Sequence, residues 1–272
     1  MKLKIIVLIY LVPILLSCSR PYDPPPLPFG DYIYPLKVGN NWTYESTITI
    51  YNQPDSVPMW SPEVIKGSAA IEITNEDSTR EFYIDSVLLT THIFTFNTTS
   101  IDSTNPQSID SALFLFTNTK DGLYELGNSG GNMAVPVSRP PGQNEIITLL
   151  HNKIKHQQSE LSAATDPKQS LKYPIRVNSE WIFIDDIGLF NIDKKIIRYE
   201  VLETKLGKFN CFVVQWMYDT IEIEIIDYYA SIGLVRRSIE ARNLVSCEIG
   251  GPDCDTVDMM YMYELADYVI VP

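Results

Sequence analysis

The chain has 272 residues, of which 45% are hydrophobic and 11% aromatic, and it carries 34 acidic against 21 basic side chains. This length suits one large all-β domain or two small ones, with a sizeable core. A formal net charge of −13, with no basic patch interleaved with aromatic residues, argues against a nucleic-acid partner.

The first eighteen residues have the order of a secretory signal. Lys2 and Lys4 form a short positive region, and an apolar run follows over residues 5–16. The run is too short to span a bilayer comfortably. Without Lys2 and Lys4, 19 basic side chains face 34 acidic ones, a formal charge of −15 that we interpret as favouring solubility.

The end of this signal, Leu15-Leu16-Ser17-Cys18, resembles the lipobox of bacterial lipoproteins. Leu16 is a less usual residue at its position. The resemblance implies that Cys18 carries acyl chains such as palmitate and becomes the first residue of the mature protein. Several chains anchor stably, because each buried CH2 contributes about 0.8 kcal/mol. The alternatives are a secreted protein with a chance cysteine, or a protein that keeps the segment as a membrane anchor.

Ser19 bears on which membrane holds the protein. It is not the aspartate associated with inner-membrane retention in enterobacterial lipoproteins, which favours the outer membrane. Residues 19–30 contain five prolines and predict an extended spacer of about 35 Å, at about 3.1 Å per residue. We therefore divide the chain into a signal (1–18), a tether (19–33) and a single β-rich domain (34–272).

One pattern occurs twice in this domain, 139 residues apart. The copies are Tyr34-Pro35-Leu36-Lys37-Val38-Gly39-Asn40-Asn41-Trp42-Thr43-Tyr44 and Tyr173-Pro174-Ile175-Arg176-Val177-Asn178-Ser179-Glu180-Trp181-Ile182-Phe183. Each predicts a turn, at Gly39-Asn40 or Asn178-Ser179, and then a strand that opens on an inward tryptophan. The spacing favours two loosely related halves, 34–170 and 171–272, over chance similarity of a short turn.

Most of the domain has the alternation of β-strands. Strands are predicted over 43–51, 64–74, 81–96, 112–116, 180–184, 196–204, 209–217, 221–229, 234–241 and 259–271. Turns at 206–208 and 231–233 favour antiparallel hairpins. We predict a mainly β fold, a strongly curved antiparallel sheet or half-barrel of about ten strands. Four-residue spacing of Ile146, Leu150 and Ile154 predicts one short helix over 145–161.

Four motifs resemble a broad set of uncharacterised bacterial envelope lipoproteins. The motifs are Tyr34-Pro35-Leu36-x-Val38-Gly39-x-x-Trp42-x-Tyr44, Asp121-Gly122-Leu123-Tyr124, Leu206-Gly207-Lys208-Phe209-x-Cys211 and Tyr228-Tyr229-Ala230-x-Ile232-Gly233-Leu234-Val235. The resemblance covers nearly all of the mature chain and implies one β-rich domain with a curved antiparallel sheet, and no catalytic residues. A weaker likeness, of shape only, is to the Lol-type lipoprotein carriers, whose concave apolar face receives acyl chains.

Three cysteines remain once Cys18 is lipidated. Cys247 and Cys254 flank a turn-rich segment and predict a disulfide, with free thiols or a lone pair of metal ligands as alternatives. Alternation places Cys211 on one face with Phe209 and Val213, which predicts a buried, inert thiol.

Two patterns have the form of catalytic sites. Residues 127–131 fit G-x-S-x-G, but the flanking sequence lacks the strand and helix of a nucleophile elbow, so we predict a flexible glycine-rich loop. Glu222 and Glu224 lie about 6.6 Å apart on one strand face, a separation found in inverting glycosidases. A solvated face opposite buried isoleucines is the more common arrangement. We predict no catalytic residues.

No pattern predicts a metal or another cofactor. His151 and His156 are five residues apart, which does not suit helical zinc ligands. Asp253, Asp255 and Asp258 lack the glycine of a calcium loop.

Aromatic residues are the remaining candidates for a ligand surface. They are Trp42, Trp181, Trp216, Tyr228 and Tyr229, which could line a sugar or lipid groove, although aromatics at strand spacing are more often core. We expect a non-enzymatic envelope lipoprotein that binds an apolar molecule or another envelope protein. The alternative is a secreted hydrolase acting on glycan or peptide, which would need convergent carboxylates or a Ser-His pair in a cleft.

Overall fold

Alternating aromatic and β-branched residues form strands throughout the part of the chain that the structure describes. The computed structural model describes residues 31–51, 64–84, 87–102, 109–129, 167–186, 190–218, 222–247 and 254–272. Its strands are β1 (Asn41–Tyr51), β2 (Val64–Ile84), β3 (Val87–Asp102), β4 (Ile109–Asn118), β5 (Gly122–Ser129), β6 (Lys168–Lys172), β7 (Glu180–Asp186), β8 (Phe190–Thr204), β9 (Gly207–Tyr218), β10 (Ile223–Ala230), β11 (Gly233–Cys247) and β12 (Cys254–Val269). The prediction of a mainly β fold is confirmed, and the described residues form twelve strands instead of the predicted ten or so.

The twelve strands form one antiparallel sheet, in the order β6-β5-β4-β3-β2-β1-β12-β11-β10-β9-β8-β7. Neighbours are consecutive in the chain except β1 and β12, which pair from Asn41 opposite Val269 to Tyr51 opposite Asp258. The sheet therefore consists of two meanders, β1–β6 and β7–β12, joined through their first and last strands. Among the described residues no backbone ladder joins β6 to β7, so the sheet is not closed.

The two edge strands nevertheless lie side by side. Trp181 at the start of β7 donates its indole N–H to the Gln169 carbonyl of β6 at 2.8 Å. Lys172 at the end of β6 donates to the Glu180 carbonyl of β7 at 2.9 Å. We call this junction the β6–β7 seam. Because the outermost strands of a twelve-stranded sheet meet there, the sheet is strongly curved, as predicted.

The repeated sequence pattern forms the same turn twice. In both 37–40 and 176–179 the fourth residue donates its backbone N–H to the first residue's carbonyl at 3.0 Å. The third residue has positive φ in each, 91° at Gly39 and 69° at Asn178. This is the geometry of a type II turn, whose third position favours glycine or asparagine. The predicted turns are confirmed.

Each turn also binds the second strand of its own half. The backbone of Gly39-Asn40 exchanges two hydrogen bonds with Ile73 of β2, both at 2.9 Å. The backbone of Asn178-Ser179 does the same with Ile196 of β8, at 2.7 and 2.9 Å. The two copies thus begin equivalent meanders. The boundaries of the halves, 34–170 and 171–272, stay a prediction.

The tyrosine of each copy reaches a hairpin of the opposite half. Tyr173 donates its backbone N–H to the Asp121 carbonyl in the β4–β5 turn, at 2.8 Å. Tyr34 packs on the β10–β11 turn, where a Cβ added to Gly233 would lie 3.1 Å from the tyrosine hydroxyl oxygen. Tyr34 also donates its backbone N–H to the Tyr173 hydroxyl at 2.9 Å. These contacts hold the two halves of the domain together.

Several predicted features lie outside the described residues. They are the signal with Cys18, the tether up to residue 30 and the helix predicted over 145–161. In the part of the chain that the structure describes, no helix is long and apolar enough to cross a membrane.

Candidate functional site

Three charged side chains lie within the apolar core. Lys194 of β8, Asp227 of β10 and Arg237 of β11 are each 0% exposed. Each interrupts a row of alternating buried apolar residues. The rows are Ile192-Lys194-Ile196, Ile223-Ile225-Asp227-Tyr229 and Val235-Arg237-Ile239-Ala241. Buried charges are costly unless they are paired, so these three residues form the most unusual group in the described core.

Asp227 and Arg237 form a buried ion pair across the β10–β11 ladder, where they are directly opposite. Arg237 donates through Nε to Oδ1 at 2.5 Å and through Nη2 to Oδ2 at 2.6 Å. Oδ2 also accepts from Trp216 Nε1 at 2.8 Å and from the Tyr229 hydroxyl at 3.3 Å. Burial disfavours the guanidinium charge, but Asp227 outweighs this effect and raises the pKa of Arg237 above its usual value.

Lys194 lies beside this ion pair, and its own partners are two aromatic rings and a backbone carbonyl. Its Nζ is 3.7 Å from the ring centroids of both Phe183 and Trp216, and it donates to the Ser170 carbonyl of β6 at 3.2 Å. Among the described residues it forms no ion pair. Burial lowers the pKa of the Lys194 ammonium well below its usual value, although Asp227 favours the charged form.

Three polar atoms in this region have no hydrogen-bond partner among the described residues. They are Nη1 of Arg237, Oγ of Ser170 and Oε2 of Glu125 on β5. A buried polar atom without a partner costs about 1–3 kcal/mol, and such atoms are rare in native proteins. The group around Trp216, which we call the Trp216 cluster, therefore contains polar atoms whose hydrogen-bonding capacity is unused among the described residues. The Trp216 cluster comprises Trp216, Lys194, Asp227, Arg237, Ser170 and Glu125.

The structure brings together two of the five predicted ligand-surface aromatics. Trp216 and Tyr229 meet at the carboxylate of Asp227. Trp42 is buried elsewhere and donates its indole N–H to the Ile232 carbonyl, and Trp181 is buried at the β6–β7 seam. Tyr228 is half-buried, with its hydroxyl 3.5 Å from Nη2 of Arg198. Four of these residues are thus core residues; their role as a ligand surface stays a prediction.

Sequence reasoning missed the three charged residues. The available signal was one charged residue at an inward position of a strand whose other inward residues are apolar, as at Asp227 between Ile225 and Tyr229. The same signal occurs at Lys194 and Arg237. Alternation alone therefore could have singled them out, because an inward charge in a strand needs a partner.

The patterns considered for catalysis do not form a site among the described residues. Glu222 and Glu224 are exposed, and they accept hydrogen bonds from Asn243 at 2.8 Å and Gln215 at 3.1 Å. These two glutamates therefore lie on a solvated face of the strand, which is the more common of the two arrangements considered above. Ser129 is the last residue of β5, so the prediction of a flexible loop is wrong for residues 127–129, which pair with β4. The described residues also hold no group of three potential metal ligands.

Cys211 is a free and fully buried cysteine. Burial raises the pKa of its thiol to about 12. The reactive form of cysteine is the thiolate, and this shift disfavours the thiolate near neutral pH. The prediction that Cys211 is buried is confirmed, and its inertness stays a prediction.

Cys247 and Cys254 are directly opposite in the β11–β12 ladder. Opposed residues in an antiparallel pair have Cα atoms about 4.5–5.5 Å apart, within the range that a disulfide spans. The backbone register therefore permits the bridge, which stays a prediction.

Counting thiols with a maleimide reagent tests both cysteine assignments. In protein purified from its own membrane without reductant, we expect no labelling in the native state and one label, on Cys211, after denaturation. Reduction before denaturation should raise the count to three by opening Cys247–Cys254, since the predicted lipid would block Cys18. Three labels without reductant would contradict the disulfide, and rapid labelling of Cys211 in the native protein at pH 8 would contradict its burial.

No protein-family model and no curated protein matches this chain. Among solved structures, the chain resembles a protein from Bacteroides fragilis NCTC 9343 that is described as exported and as having a YmcC-like fold. The identity is 10%, the TM-score is 0.38, and the match covers 88% of this chain and 99% of the other.

Proposed function

We propose that this chain is a lipid-anchored lipoprotein of the cell envelope, attached to the outer membrane through Cys18. Its β domain is a non-enzymatic binding or interaction module for an apolar ligand or another envelope protein. The observation that carries the proposal is the sequence Leu15-Leu16-Ser17-Cys18 at the end of an export signal. The domain begins soon after it, since β1 starts at Asn41.

The composition of the core supports a binding role. Replacing a buried ion pair by apolar residues of similar volume is often neutral or stabilising, so folding alone does not require Asp227 and Arg237. Unpaired buried polar atoms next to such a pair are typical of functional sites. The Trp216 cluster is therefore the part of the domain to which we assign binding.

The anchor is tested by replacing Cys18 with alanine. We expect the variant to lose all incorporation of radiolabelled palmitate and to leave the membrane fraction or remain unprocessed, because no other residue carries the lipid. The matched control is Cys211→Ala, which removes a buried thiol and should keep full labelling. Equal labelling of Cys18→Ala and wild type would refute the lipoprotein assignment.

The binding role has a separate test in the intact envelope. Native mass spectrometry of the full protein should detect a bound small molecule, or crosslinking in the envelope should capture a protein partner. A protein free of ligand, together with no crosslinked partner, would count against the module.

A further inference from the structure

We propose that the Trp216 cluster binds the acidic head group of an amphiphile, that is, a carboxylate or phosphate carried on an apolar chain. This inference rests on the proposed binding function and adds the class of ligand. It is based on polar groups within the core that have no hydrogen-bond partner among the described residues, and on the buried amine of Lys194, which forms no ion pair there.

The unused donors lie around one ring. Lys194 has three N–H groups and donates one hydrogen bond, to Ser170, among the described residues. Nη1 of Arg237 donates no hydrogen bond to any residue that the structure describes. Lys194 Nζ is 3.7 Å and Arg237 Cζ 4.9 Å from the centroid of the Trp216 ring, so both cations flank the same indole. The oxygens of one acidic group could accept from both, in charge-assisted hydrogen bonds.

The charges in the cluster favour an anion at Lys194. Asp227 is already held by two hydrogen bonds from Arg237, and Glu125 forms no ion pair with Lys194. Among the described residues the Lys194 amine therefore has no hydrogen-bonded counter-ion, in a region where charges interact strongly. Glu125 acts against an added anion, because its own carboxylate interacts electrostatically with Lys194. Its replacement should therefore strengthen the binding of an acid.

The surroundings of the cluster are apolar. Phe116, Phe183 and Ile196 belong to the same buried apolar core as Trp216. The bond from Lys194 to Ser170 reaches from β8 to β6 at the β6–β7 seam. Because no backbone ladder joins these edges in the described chain, we place the entry of the ligand at the seam, where it would break side-chain hydrogen bonds only.

The test compares an acid with its neutral analogue. Full-length protein in zwitterionic phosphatidylcholine nanodiscs is titrated with dodecanoate labelled with ¹³C at the carboxyl carbon, and in parallel with dodecanol. Lys194→Met keeps the length of the side chain and removes its charge. Lys195→Met is the matched control, because the neighbouring Lys195 is paired with Glu180 at 3.3 Å outside the cluster. Glu125→Gln is the variant expected to act in the opposite direction.

We expect dodecanoate to bind wild-type protein at least about tenfold more tightly than dodecanol, as a charge-assisted hydrogen bond predicts. Lys194→Met should lose about tenfold or more for dodecanoate only, Lys195→Met should match wild type, and Glu125→Gln should bind dodecanoate more tightly. The melting temperature of ligand-free Lys194→Met should equal or exceed that of wild type, which separates lost binding from misfolding.

Two results would overturn the inference, and they differ in what they mean for the proposed function. If dodecanoate and dodecanol bind equally, and Lys194→Met and Glu125→Gln leave both affinities unchanged, the ligand needs no acidic head group. The domain could then still be a binding module for an apolar ligand. If neither probe binds any of these proteins, the domain does not bind amphiphiles of this class. The proposed binding function would then be tested by the crosslinking experiment, which looks for a protein partner.

Discussion

Asp227→Ala is expected to lower the free energy of unfolding by about 3–5 kcal/mol. The substitution leaves the guanidinium of Arg237 buried, charged and without its carboxylate. It also removes the acceptor for Trp216 Nε1 and the Tyr229 hydroxyl. Urea unfolding followed by tryptophan fluorescence measures the loss.

The double variant Asp227→Leu, Arg237→Met is the control for this prediction. Both charges are removed together, so no unpaired ion remains and most of the lost stability should return. If Asp227→Ala instead unfolds within about 0.5 kcal/mol of wild type, the ion pair is not buried as the structure describes it.

Trp42→Ala is expected to lower the free energy of unfolding by about 3–5 kcal/mol, the usual cost of removing a buried large aromatic side chain. Trp42 is fully buried, packs against Tyr34 with ring centroids 6.0 Å apart, and donates its indole N–H to the Ile232 carbonyl at 2.6 Å. It joins the first strand of one half to the β10–β11 turn of the other, so its loss should weaken the contact between the halves.

Two further variants show how much of the lost stability comes from the ring, from the N–H group and from burial. Trp42→Phe keeps an aromatic ring and removes only the N–H and part of the volume, so it should cost less than Trp42→Ala. Tyr51→Ala, at a position 46% exposed on the same strand, should change stability by less than about 0.5 kcal/mol. Equal losses for Trp42→Ala and Tyr51→Ala in urea unfolding would contradict the burial of Trp42.

Local turn chemistry made much of the fold predictable. Gly39 and Asn178 carry the positive φ that their turns require, and Gly207 and Gly233 do so in two predicted hairpins. Strand ends were less predictable. The strand predicted to end at Thr74 continues to Ile84, because bulges break the alternation without breaking the β2–β3 ladder. The short edge strand β6 has no alternation to detect.

The Trp216 cluster was only partly predictable. Asp227 and Arg237 flank one short turn, so hairpin register places them opposite each other once the inward positions are known. Lys194 contacts Ser170 only because the first and last strands of the sheet meet at the β6–β7 seam. That contact depends on the total curvature of twelve strands, which no local pattern specifies.

Native mass spectrometry of the full-length protein, expressed in a bacterial host and extracted from its membranes, measures the proposed lipid anchor and the proposed bound amphiphile together. We expect a chain that begins at Cys18 and carries the added mass of acyl chains, together with a second species heavier by the mass of one acidic amphiphile. A mass equal to the unprocessed chain of 272 residues, with no lipid and no bound molecule, would contradict the account.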